Sequence, residues 1–131
     1  MSKILVVEDD KYLANAYRLK LGKSQFDVTL ALDGREALAL LETMTPDLII
    51  LDIVLPNEDG FTILEKIKKG EKSKSIPVII ASNLGQKEDL EKAKKLGAVD
   101  YFVKSQLTLD DLVKKINTLL QPSPKAMLNM E

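Results

Sequence analysis

The chain has 131 residues, 45% of them hydrophobic, with 19 basic against 20 acidic side chains and a formal net charge of −1 at pH 7. That length and composition predict one folded domain with a real core, and the charge balance argues against a surface dedicated to nucleic acid or lipid headgroups. With no cysteine and no histidine, disulfides, thiolate nucleophiles, a Ser-His-Asp triad and His-ligated zinc or iron are excluded, leaving carboxylates, lysines, hydroxyls and backbone groups to do any chemistry.

In chain order, the first apolar run is Ile4-Leu5-Val6-Val7, too short for a signal peptide or a membrane span, so the chain reads as cytoplasmic. A helix follows, marked by Leu13, Ala16, Tyr17 and Leu21, with Gly22 placed to stop it. Phe26 to Leu30 reads as a strand with polar interruptions, which suits a sheet edge. After the Asp33-Gly34 turn, Ala37, Leu40, Leu41 and Met44 mark a second helix. Leu48 to Leu51 and Val78 to Ala81 are continuous apolar runs, like the first. Such runs suit strands buried on both faces of a parallel sheet. Between them Ile63, Leu64 and Ile67 mark a third helix ending near Gly70, and Leu90, Ala93 and Gly97 mark a fourth. Val99 to Val103 reads as a second edge strand. The last helix carries Leu109, Leu112, Val113, Ile116, Leu119 and Leu120 on one stripe, with Thr108 and Asp111 as a weak capping box.

This β-α alternation predicts an α/β, doubly wound, five-stranded parallel sheet in three layers, flavodoxin-like, with strand order 2-1-3-4-5. In that order a crevice opens at the carboxyl ends of strands one and three. Residues 1–121 form the domain, and Gln121-Pro122-Ser123-Pro124 breaks the periodicity, so 122–131 reads as a tail or the start of a linker.

Polar groups stand at those carboxyl ends: Glu8-Asp9-Asp10, Asp52, Ser82 and Lys104. Carboxylates that converge resist ionising unless a cation sits among them. With oxygen ligands alone, that cation is hard: Mg²⁺, Mn²⁺ or Ca²⁺. Acids after a strand also cap the next helix, a role open to Asp9 or Asp10. Asp52 is followed by Ile53-Val54-Leu55-Pro56 rather than by a helix, so capping does not account for it. Ser82 and Lys104 taken singly read as a turn residue and a solvated lysine; their joint placement singles them out.

The runs Ile4 to Asp10, Leu51 to Gly60, Pro77 to Ser82 and Tyr101 to Lys104 resemble the receiver domain of two-component response regulators, over about residues 3 to 120. The resemblance implies a phosphoacceptor rather than a conventional enzyme. Asp52 would take a phosphoryl group from the phosphohistidine of a sensor histidine kinase or histidine phosphotransfer protein. Asp9, Asp52 and the Val54 backbone carbonyl would hold Mg²⁺, or Mn²⁺ in its place, with Glu8 acting through a water. Ser82 and Lys104 would bind the phosphoryl group. Ser82 and Tyr101 would couple the site to a partner surface made by the fourth helix, fifth strand and fifth helix. The implied outputs are a downstream protein or an output domain, with a phosphorylation-dependent homodimer as a further state, and no direct contact with nucleic acid or membrane.

The sequence departs from the family pattern in three places. Ser105 stands where members carry proline after a cis peptide; a cis bond there would cost about 2.5–4 kcal/mol, so a trans bond is expected. Asn83 replaces a small residue beside Ser82, where it would crowd the pocket or donate to it. Val54 and Leu84 are apolar where relatives place polar groups that position water, which implies slow self-dephosphorylation. Lysines cluster at Lys66, Lys68, Lys69, Lys72 and Lys74 and at Lys92, Lys94 and Lys95; without interleaved aromatics they read as solvated helix faces. Two competing functions fit less well. A haloacid-dehalogenase-type phosphatase needs a second Asp two residues after the nucleophile, where Val54 stands. A flavodoxin-like binder needs a glycine- or hydroxyl-rich first loop, where this chain is acidic.

Overall fold

The computed structural model describes residues 2–56 and 58–120. The tail expected over 122–131 lies outside the described residues. Among the described residues five helices and seven strands follow one another as β1 (Lys3–Val7), α1 (Lys11–Lys23), β2 (Asp27–Ala31), α2 (Gly34–Leu40), β3 (Leu48–Leu51), β4 (Val54–Leu55), β5 (Glu58–Asp59), α3 (Gly60–Lys69), β6 (Val78–Ser82), α4 (Lys87–Lys95), β7 (Asp100–Val103) and α5 (Leu109–Leu120). The main sheet has the order β2-β1-β3-β6-β7 and every pairing in it is parallel. Setting aside the two-residue strands β4 and β5, this is the expected 2-1-3-4-5 order with its crevice between β1 and β3. Among the described residues no helix is long and apolar enough to cross a membrane.

Because strand side chains alternate between faces, the apolar runs are divided between two cores. Leu5, Val7, Ile49, Leu51, Val78 and Ile80 pack with Ala37 of α2, Ile63, Leu64 and Ile67 of α3, and Ala93 of α4. Ile4, Val6, Leu48, Ile50, Ile79, Ala81 and Phe102 pack with Tyr17 and Leu21 of α1 and with Leu112 and Ile116 of α5. Strands covered on both faces have no room for polar alternation, which is why β1, β3 and β6 read as unbroken hydrophobic runs.

Local signals behaved unevenly. Thr108 and Asp111 form the expected capping box at α5, each backbone N–H donating to the other's side chain at 3.0 and 3.1 Å. Gly22, expected to end α1, lies inside it; the helix runs to Lys23 and the left-handed conformation that closes its exit belongs to Gln25, at φ 69°. The backbone N–H of Phe26 returns to the Leu21 carbonyl there. α4 instead ends on a glycine, Gly97 at φ 106°, where a Cβ would be strained. α2 stops at Leu40, four residues short of Met44, and the chain leaves it through a turn in which Met44 N–H donates to the Leu40 carbonyl. Both edge strands begin one residue later than expected.

The short antiparallel pair β4–β5 was not foreseen, because two-residue strands carry no periodicity. It folds the segment after Asp52 back onto the start of α3. Gly60 N–H donates to the Ile53 carbonyl at 2.8 Å, and a Cβ at Gly60 would lie 2.3 Å from Ile53 Cα and 2.7 Å from the Asp52 carbonyl oxygen. These neighbours are backbone, so they cannot rotate away. Gly60→Ala is therefore expected to destabilise the fold by about 1–3 kcal/mol, the usual cost of overpacking, read as a lower urea midpoint at unchanged slope.

Candidate functional site

Three strand ladders run one residue beyond the sheet. Glu8 N–H donates to the Ala31 carbonyl, Asp52 N–H to the Val7 carbonyl, and Lys104 N–H to the Ser82 carbonyl. The pleat therefore continues to Glu8, Asp52 and Lys104, which extend the rows Ile4-Val6, Leu48-Ile50 and Phe102 on the α1/α5 side. Ile4 pairs with Leu48 and Val7 with Leu51 in register, so the next step sets Glu8 beside Asp52. Both carboxylates are nearly out of solvent, at 2% and 6% exposure.

Lys104 compensates them. Its Nζ donates to Glu8 Oε1 at 2.5 Å and to Asp52 Oδ2 at 2.8 Å. The other oxygens take backbone donors, Asp10 N–H on Glu8 Oε2 at 3.2 Å and Val54 N–H on Asp52 Oδ1 at 3.0 Å. Burial pushes the Glu8 carboxyl above its usual range in spite of Lys104. At Lys104 burial acts against the charge, but the Asp52 and Glu8 carboxylates outweigh it and hold the ammonium above its ordinary value.

Around this pair an open cleft of about 360 Å³ is lined by Glu8, Asp9, Asp10, Leu13, Asp52, Val54, Ser82, Asn83 and Lys104. Oxygens of Glu8, Asp9 and Asp52 lie within 4.8 Å of one another. An oxygen-only donor set of this size fits a hard divalent cation, and the Lys104 ammonium already occupies a cation's electrostatic role between two of its members. Asp10 lines the cleft but works as the N-cap of α1, accepting from Tyr12 and Leu13 N–H at 2.9 and 3.2 Å.

Ser82 and Tyr101 belong to the other face of the sheet. Ser82 is fully buried and its Oγ accepts from Leu84 N–H at 3.2 Å. Tyr101 packs against the α2–α3–α4 core, outside the lining of the cleft, and its hydroxyl donates to the Leu84 carbonyl at 2.5 Å. Burial, then the Asp89 charge, raises the Tyr101 pKa. Val54 and Leu84 are solvent-exposed, at 59% and 41%. No peptide bond among the described residues is cis, so Lys104-Ser105 is trans, as expected.

Sequence reasoning left Leu13 out of the site and did not single out Tyr17, which lies in the core beneath it. Leu13 lines the cleft from the first turn of α1. Tyr17 is 1% exposed and its hydroxyl has no hydrogen-bond partner; the available signal was a phenol in an otherwise aliphatic stripe that packs under strands ending in acids. The lysine clusters lie on the last turns of α3 and α4 and in the turn that follows α3, outside the lining of the cleft. Lys68 Nζ donates to the Lys74 and Ile76 carbonyls, Lys72 Nζ to the Glu42 carbonyl, and Lys92 stacks 4.5 Å from the Phe61 ring centre.

The family described as the response regulator receiver domain matches residues 4–117. Among curated proteins, the chain is 33% identical over 121 residues to the DNA-binding dual master transcriptional regulator RpaA of Synechocystis, covering 92% of this chain and 50% of that protein. It is 34% identical over 128 residues to response regulator ArlR of Staphylococcus saprophyticus, covering 98% of this chain and 56% of that protein. The chain thus spans about half the length of these relatives. Among solved structures, the receiver domain of the Francisella response regulator 1452 superposes with a TM-score of 0.83 at 35% identity, covering 91% and 96% of the two chains. Chemotaxis protein CheY4 of Vibrio cholerae gives 0.86 at 28% identity, covering 92% and 99%.

Removing the Lys104 cation leaves two neighbouring buried carboxylates uncompensated, so Lys104→Met is expected to cost about 3 kcal/mol of stability at neutral pH. Because the folded-state pKa of Lys104 lies above its ordinary value of 10.5, the ion pair's contribution is complete below 10.5 and is lost as pH rises through the higher folded value. Chemical unfolding of both proteins should show their stability difference constant from pH 8 to about 10 and shrinking beyond it.

Proposed function

The chain belongs to the response regulator receiver family, and from that premise we propose that Asp52 accepts a phosphoryl group from the phosphohistidine of a sensor histidine kinase or histidine phosphotransfer protein, with Mg²⁺ as cofactor. The protein is a signalling phosphoacceptor rather than a conventional enzyme. The observation that carries the proposal is the Asp52 carboxylate itself: buried, bonded to Lys104 at 2.8 Å, and set among the oxygens of Glu8 and Asp9.

An Asp52 carboxylate oxygen attacks phosphorus, the phosphorus–nitrogen bond to the donor imidazole breaks, and its electron pair leaves on that nitrogen. Such transfer asks the protein for position and charge neutralisation more than for covalent work. Glu8, Asp9, Asp52 and the Val54 carbonyl would hold Mg²⁺, which supplies positive charge to the phosphoryl oxygens. Lys104 would pair with the same anion, and Ser82 would donate its hydroxyl to it. The acyl phosphate formed on Asp52 is reactive, which suits a reversible signal.

Ser82 and Tyr101 already share a partner, since Leu84 bonds to one through its N–H and to the other through its carbonyl. A pull on the Ser82 hydroxyl would therefore be passed to Leu84 and Tyr101, altering the surface made by α4, β7 and α5. Phosphorylation would act by biasing two packings of that surface. The surface would engage a separate target, an attached output domain or a second copy of the chain. We place the protein in the cytoplasm, where such kinases deliver their phosphoryl groups.

Incubation with acetyl phosphate and Mg²⁺ should add one phosphoryl group by intact mass, and the gain should vanish in Asp52→Asn and with EDTA. A gain that persists in Asp52→Asn would move the acceptor elsewhere. Val54→Asn combined with Leu84→Glu should shorten the phosphoryl lifetime by about tenfold, equivalent to roughly 1.4 kcal/mol in the barrier. An unchanged decay rate would remove both side chains from control of hydrolysis.

A further inference from the structure

Of the five helices among the described residues, α4 is the least tied to the core. It is nine residues long and buries one of them, Ala93, whereas α3 buries Gly60, Phe61, Ile63, Leu64 and Ile67. Its one leucine, Leu90, is 39% exposed, and its start is closed by a long bond, Gln86 N–H to Asp89 Oδ2 at 3.3 Å. A helix this short does not hold itself together in water, so tertiary contacts must hold it. Toward β7 they are sparse, because an open cleft of about 290 Å³ lies between the two elements, lined by Leu90, Ala93, Val99 and Tyr101 among others. Toward α3 there are two side-chain contacts. Just past the helix end Gly97 sits against the Lys68 stem, where a Cβ would lie 3.1 Å from Lys68 Cγ. Within the helix, Lys92 Nζ lies 4.5 Å from the centre of the Phe61 ring, in the first turn of α3. An ammonium at that distance is attracted by the negative face of the ring.

Lys92 has no carboxylate within ion-pair reach among the described residues. Glu65 is bonded to Lys69 at 2.7 Å and feels Lys92 only as a more distant charge. Phe61, for its part, is tied to the segment that follows Asp52. Its N–H donates to Asp59 Oδ1 at 2.9 Å, Asp59 pairs with Val54 across β4–β5, and Val54 N–H donates to Asp52 Oδ1 at 3.0 Å. We propose that Lys92 is the catch of α4: its ammonium over the Phe61 ring holds the helix to α3, and letting go of the ring lets α4 open while the rest of the domain stays folded. Lys92 is thus a positioning residue, acting through Phe61 on the surface made by α4, β7 and α5. The route from Asp52 through β4–β5 and Phe61 to α4 bypasses Ser82, Leu84 and Tyr101. Release of the catch by phosphorylation rests on the proposed role of Asp52; the catch itself does not.

Amide hydrogen exchange, read helix by helix with no phosphodonor present, tests the catch. In the wild type, α4 should exchange faster than α3 and α5. Lys92→Met keeps an unbranched stem and nearly the helix propensity of lysine while removing the charge. It should speed exchange in α4 by about threefold, the scale of an exposed cation–π contact, and leave α1, α5 and the urea midpoint unchanged. Lys92→Arg, which returns a cation to the ring, should restore the protection. In a Phe61→Leu background, Lys92→Met should change nothing further. Unaltered α4 exchange in Lys92→Met overturns the proposal, as does a rise spread equally over all helices or equal protection of α4 and α5 in the wild type. The same rise in Phe61→Leu also overturns it, since the charge would then act on Glu65, or on Glu88 one turn earlier in α4. Should Phe61→Leu fail to fold, Lys92→Met is repeated with Glu65→Gln and Glu88→Gln in place. The effect should persist there, and its disappearance overturns the proposal. None of these outcomes bears on Asp52, whose role stands or falls on the intact-mass experiment.

Discussion

Two carboxylates side by side at the end of a parallel sheet, with one ammonium between them, set the terms for this structure. Glu8 and Asp52 are brought together by backbone register alone, because β1 and β3 pair in parallel and each ladder runs one residue past the apolar strand. Neither carboxylate would tolerate that burial without a cation. Lys104 supplies it from the far end of β7, across a sequence separation of 96 residues from Glu8. The sheet order is thus what assembles the charge cluster.

The pleat adds a second level of organisation. Glu8, Asp52, Lys104 and Tyr17 lie on the side of the sheet covered by α1 and α5, whereas Ser82 and Tyr101 lie on the side covered by α2, α3 and α4. The proposed chemistry and the proposed response are therefore housed on opposite faces of one sheet. They meet at the carboxyl end of β6, where Ser82 lines the cleft while its Oγ is bonded to the loop that also holds Tyr101. Coupling needs no long path, because the sheet is one backbone layer thick at that point.

Much of this was legible in the residues. The runs Ile4 to Val7, Leu48 to Leu51 and Val78 to Ala81 are so apolar that only burial on both faces suits them, and their polar ends pointed to a common crevice. Thr108 and Asp111 marked a helix start correctly because capping is a local interaction. Gly22 misled, since a glycine is tolerated inside a helix when tertiary packing continues past it, and a non-glycine such as Gln25 can adopt the left-handed turn at modest cost. The β4–β5 pair could not be read at all, and of the orphaned Tyr17 hydroxyl the residues showed a lone phenol in an aliphatic stripe and nothing of its partners. Both depend on which segments meet in space, and the second depends on the partners that happen to be missing.

The lysines at the ends of α3 and α4 carry one last implication. Helices in this architecture run against the strands, so the basic last turns of α3 and α4 lie at the opposite end of the molecule from Glu8, Asp9 and Asp52. A net charge of −1 then conceals two separated poles, aligned with the strands and partly offset by the helix dipoles, whose positive ends face the acidic pole. An object of this kind is turned by an external field even though it is hardly pulled by one. A charged partner would orient it before touching it, and the rate of productive encounter would depend on ionic strength despite the near-zero total charge.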